Sequence, residues 1–72
     1  MSELFSVPYF EQNFKEHIKQ NEGHVPKLDA MNRYYRSVVS ALVQDQLTKN
    51  SVVLKRIQNL DEAYNTIKSI NN

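Results

Sequence analysis

The chain has 72 residues, nine basic and eight acidic, with a net charge of +1 at pH 7 and no cysteine. That length allows at most one small domain, near the size at which a single core becomes marginal without disulfides, metal or oligomerisation. The missing cysteines exclude a disulfide framework and a thiolate metal site.

Charge is spread evenly: five basic and five acidic side chains over residues 1–36, four and three over the rest, so neither half is a basic arm or an acidic tail. An apolar content of 40% with seven aromatic residues argues against a disordered chain. The N-terminus has no basic start, apolar run and small-residue cleavage site of the secretory kind. The longest near-apolar stretch, VVSALV at Val38 to Val43, is far below the ~20 residues of a membrane span. These features set the expectation of an intracellular protein, cytoplasmic or nuclear, with no membrane insertion.

The first predicted element is a short helix from about Val7 to Asn21 or Glu22. Ser6 suits the N-cap, Pro8 is tolerated in a first turn whose N–H groups have no intrahelical partner, and Gly23 can take a left-handed stop. Val7, Phe10, Phe14 and Ile18 form one apolar stripe. A helix this short does not persist alone in water, so the stripe must dock. Ahead of it, Leu4, Phe5, Tyr9 and Phe10 concentrate apolar surface. They read either as a hydrophobic staple over the first turn or as a segment that docks into a partner's groove. Leu4, Phe5, Phe10, Phe14 and Ile18 are the candidate N-terminal docking residues. The polar face mixes Glu11 and Glu16 with lysines, which argues against a membrane-surface helix.

GHVPK at 23–27 is a connector, and from Leu28 to Ile70 there is no glycine or proline. As one helix this stretch would extend about 65 Å. A seven-residue repeat fits its second half, with Val43, Asn50, Ile57 and Tyr64 at a and Gln46, Val53, Leu60 and Ile67 at d. Upstream, Leu28, Met31, Tyr35, Val38, Val39 and Leu42 keep a different three-four frame, the mark of a stutter. Leu47 and Leu54, at e, widen the stripe beyond a strict two-helix seam.

Asn50 admits two readings. As a buried polar a residue it would select register and oligomer state. Alternatively TKNS at 48–51 is a turn, since threonine, asparagine and serine favour caps and turns. The preserved phase of Val43, Val53 and Ile57 favours the continuous helix. The predicted fold is therefore all-α, with a docking segment and short helix at 1–24 and one long coiled-coil-forming helix at 25–72. The alternative is a three-helix unit with a turn near 48–51.

Little in the sequence carries chemistry. His17 and His24 lack the converging ligands a metal needs and read as exposed histidines near a helix end. The serines and scattered carboxylates form no nucleophile elbow or phosphate loop, so neither catalysis nor a cofactor is expected. Arg33, Tyr34 and Arg36, beside Tyr35, have the composition of nucleic-acid contacts, but the near-neutral charge favours a protein–protein hot spot.

The function this predicts is a non-enzymatic structural or adaptor subunit assembling through helix–helix packing into a larger complex. Leu28, Met31, Tyr35, Val38, Val39, Leu42, Val43, Leu47, Asn50, Val53, Leu54, Ile57, Leu60, Tyr64 and Ile67 form the interface. In architecture it resembles the coiled-coil-only subunits of eukaryotic cytoskeletal and vesicle or organelle trafficking assemblies. The alternatives are a homo-oligomeric coiled-coil spacer and a small helical subunit of a nucleic-acid-associated complex.

Overall fold

A computed structural model describes residues 5–70, and among these all regular structure is helical: α1 Val7–Gln20, α2 Lys27–Gln44 and α3 Asn50–Ser69. Leu4 lies outside the described residues.

α1 starts and stops where its sequence dictates. The Ser6 hydroxyl accepts the Tyr9 amide at 3.3 Å, giving one of the orphan N–H groups of the first turn a partner. Phe5 precedes the cap and stacks on Phe10 with centroids 6.0 Å apart, which is the hydrophobic staple. At the other end the Asn21 amide donates to the His17 and Ile18 carbonyls, its side chain donates to His17 O at 2.8 Å, and Gly23 turns the chain at φ 85°. Pro26 then enters α2 in an extended conformation.

The expected single long helix is corrected here: the helical stretch breaks at 45–49, and α3 folds back along α2. The break needs no glycine or proline because the Asp45 side chain supplies the turn. Its Oδ1 accepts the Leu47 and Thr48 amides at 3.0 and 3.2 Å, and its Oδ2 accepts the Thr48 hydroxyl at 2.5 Å. A carboxylate satisfying nearby backbone donors offers the chain an alternative to continuing the helix. Lys49, extended at ψ 143°, then begins α3, its carbonyl accepting the Val52 and Val53 amides. Of the two architectures the sequence allowed, the three-helix unit is the one that forms, with its turn slightly upstream of 48–51. Asn50 is exposed in the first turn of α3, where no facing helix tests its polarity.

The three helices run up, down and up. Phe10 and Phe14 of α1, Met31 of α2, and Leu60, Ala63 and Ile67 of α3 make one buried cluster. Each comes from a stripe at three- or four-residue spacing, so each helix contributes one face. Phe14 meets Tyr34 and Tyr64 edge-to-face at 4.9 and 5.8 Å. α1 has 14 residues against 18 in α2 and 20 in α3, so it spans about 21 Å against about 27 and 30 Å. The α2–α3 hairpin is therefore only partly covered by α1.

Candidate helix association face

Two side-chain hydrogen bonds fix the hairpin register. Tyr35 donates to Asp61 Oδ1 at 2.5 Å, and Tyr64 donates to Asn32 Oδ1 at 2.7 Å. Antiparallel helices paired at these points set Val39 opposite Ile57 and Val43 opposite Val53 and Leu54. Asn32, Tyr35, Val39 and Val43 share one side of α2, and Leu54, Ile57, Asp61 and Tyr64 share one side of α3, by their spacing. The neighbouring side of each helix meets α1. Tyr34 accepts from Asn13 Nδ2 at 2.9 Å, and Asn59 Nδ2 donates to the Phe5 carbonyl at 3.1 Å. The hairpin thus has a covered side and an open one.

The open side divides in two. Toward the start of α2 and the end of α3 it is polar and closed by the tyrosine bonds just described. Toward the turn it is aliphatic: Val43 is 60% exposed, Leu54 57% and Leu47 100%, flanked by half-buried Val39, Val53 and Ile57. A lone exposed leucine needs no explanation, because most protein surface is apolar by area. An aligned row drawn from both strands of a hairpin is a different observation, since contiguous apolar patches mark contact sites.

The electrostatics set the edges of this face. The hydrogen bond to Asp61, then burial and the Asp61 charge, push the Tyr35 hydroxyl up to about 12. Tyr34 is also raised, chiefly by burial. Asp45 is held below the ordinary carboxylate range, first by the Thr48 hydroxyl and then by the backbone amides of the turn and the Arg56 charge. The Arg56 guanidinium lies 3.9 Å from Asp45 and 4.7 Å from the centre of the Phe5 ring. The turn, the start of α3 and the segment before α1 are thereby tied together.

The remaining residues singled out from the sequence distribute as follows. Met31, Leu42, Leu60 and Ile67 are buried within the chain's own core, as are Phe10 and Phe14. Phe5, Ile18, Tyr35, Val38, Val39 and Tyr64 are half-buried against it. Phe5 is thus engaged by its own chain, between Phe10 and Arg56. Leu28 is exposed at the far end of α2. Arg33 and Arg36 are exposed, but Tyr34 between them turns toward Phe14, so the three side chains do not form one surface. His17 lies 5.8 Å from the Tyr34 ring, and His24 is exposed in the connector. The hydrogen-bond partners of the tyrosines, Asn13, Asn32 and Asp61, were not visible in the sequence. Such pairs come from different helices and appear only once the register is known.

Comparison with known proteins gives one clear kinship. Residues 3–69 match the family described as YvfG protein. A relative named uncharacterized protein YvfG, from Bacillus subtilis strain 168, is 72% identical over 68 residues, covering 94% of this chain and 93% of its own length.

Proposed function

The chain belongs to the YvfG protein family, and from that premise we propose that it is a non-enzymatic, cytoplasmic helical interaction module. It joins a larger assembly by packing the open side of the α2–α3 hairpin against helices of another polypeptide. The observation that carries this reading is the aliphatic row Val43, Leu47 and Leu54, held in place by a turn that is itself hydrogen-bonded. Helix packing needs ridges of aliphatic side chains on a rigid backbone, and the hairpin tip presents both. The organelle-trafficking and nuclear settings suggested by architecture drop out of the proposal, because the 72% identical relative comes from a bacterium.

A second reading, a self-associating spacer, draws on one further feature. The row is aliphatic throughout, so a second copy presents a matching apolar surface to it, with exposed Lys49 and Lys55 at its margins. Small domains with few fully buried residues gain from added core.

Site-specific photo-crosslinking in cells distinguishes these readings. A photoreactive residue replaces Leu47 or Leu54, with exposed Gln12 on α1 as the control position. Adducts at the two tip positions and none at Gln12 support the proposal. A mass of twice the chain identifies the second copy, and any other discrete mass identifies a different partner. No adduct at either tip position, or equal adducts at Gln12, overturns it.

A further inference from the structure

At the end of the bundle away from the hairpin turn, α1, the connector and the last turn of α3 enclose a groove of about 660 Å³. This lies within the roughly 300–1,000 Å³ of small-molecule sites. Its floor is aliphatic: Ile18 from α1, Val25 from the connector, and Ile67 and Ile70 from α3. Its rim is cationic. Lys15 and Lys19 stand one turn apart on α1, Lys27 opens α2, and Glu22 is the one carboxylate among the lining residues.

The rim lysines do not share one role. Lys27 donates to the Ile70 carbonyl at 2.5 Å and so clasps the end of α3 to the start of α2. Lys15 and Lys19 are exposed, and among the described residues neither pairs with a carboxylate. A lysine can lay its methylene stem along an apolar floor and still hold its ammonium in water. Two such groups beside an aliphatic slot complement a molecule with an apolar chain and an anionic head.

We propose that this groove binds a single-chain anionic amphiphile, an acyl carboxylate. Its chain lies over Ile18, Val25, Ile67 and Ile70, and its head lies between Lys15 and Lys19. An acidic peptide fits the same observations less well. The floor has no aromatic pocket, and the surrounding helices offer no unpaired backbone edge to pair with a peptide strand. The site is on a different part of the molecule from the hairpin face, and either assignment stands without the other.

The test uses methyl-detected NMR of the full chain, with monomeric dodecanoate as probe, below its micelle-forming concentration. Dodecyltrimethylammonium serves as the charge control and anionic lipid vesicles as the membrane control. Saturable shifts at the methyls of Ile18, Val25, Ile67 and Ile70 are expected with dodecanoate alone. Lys15→Glu combined with Lys19→Glu should weaken them at least tenfold while signals of the opposite end stay in place. Ile70→Glu, at an exposed position, provides an independent loss-of-binding variant if the double substitution perturbs folding. Absence of shifts, equal shifts with the cationic amphiphile, shifts confined to Val43, Leu47 and Leu54, or a response to vesicles and not to dodecanoate would each overturn the assignment.

Discussion

Asp45 accepts a hydrogen bond from the Thr48 hydroxyl at 2.5 Å, and with it the carboxylate closes the turn that folds α3 back along α2. Because the folded environment depresses the Asp45 pKa, the ionised form is the one that stabilises the fold. That contribution is present above the ordinary carboxylate pKa and is lost as pH falls through the lower, folded value. Asp45→Ala should lower the thermal midpoint at neutral pH, and the gap to wild type should close in acid. Melting followed by circular dichroism across the acid range checks both.

Tyr35 makes the opposite prediction at alkaline pH. Its phenol is pushed up to about 12 by the Asp61 carboxylate it donates to, so the fold favours the neutral form. The stabilisation is complete below the ordinary tyrosine pKa of about 10 and disappears as pH rises through the folded value. Phenolate absorbance should show Tyr34 and Tyr35 both titrating above the ordinary tyrosine range, and Tyr35→Phe should remove the step near 12. Survival of that step in the variant would assign it to another tyrosine.

The core and the hairpin face should respond differently to substitution. Leu60 is fully buried, and Leu60→Ala should cost about 2–5 kcal/mol. That is a large part of the ~4–11 kcal/mol expected for a domain of this length. Leu54→Lys, on the exposed row, should stay within about 0.5 kcal/mol of wild type. Urea unfolding of the two variants measures the contrast, and a large loss from Leu54→Lys would mean that Leu54 supports this chain's own fold.

Gly23 is the one described residue with positive φ, and a Cβ built there meets nothing within 4 Å. Any penalty on substitution is therefore conformational. Gly23→Ala should cost about 1–2 kcal/mol, read as a shift in the urea midpoint at unchanged slope. A neutral result would show that the connector can close without the left-handed residue.

α1 was legible in the sequence almost to the residue, because its signals are local. A serine cap, an early proline, a four-residue apolar spacing and a stop glycine all act within one or two turns. The break at 45–49 stood only as the alternative turn near 48–51, because its main signal is a side chain, Asp45, bonding to groups two and three residues ahead. The apolar phase also runs past it: Val43 and Val53 sit opposite one another in the antiparallel register, so they keep step across the turn without a continuous helix. Asn50 illustrates the consequence. In the heptad it was a buried selector, and in the hairpin it is an exposed first-turn residue. The aliphatic row was named from spacing, but which of its members face outward depends on where α1 lies, and no local pattern encodes that.

The open face exists only if α3 folds back along α2, and one distance decides that. Asp29→Cys with Lys68→Cys gives exposed labelling sites in a chain that has no other cysteine. Their separation can be measured by double electron–electron resonance on labelled chains diluted into unlabelled ones. The hairpin sets these positions near one another on helices whose axes pack about 8–10 Å apart, so the labels should lie within about 25 Å even with their linkers. A peak near 58 Å, the length of an unbroken helix over that interval, would contradict the hairpin and restore the long coiled-coil helix.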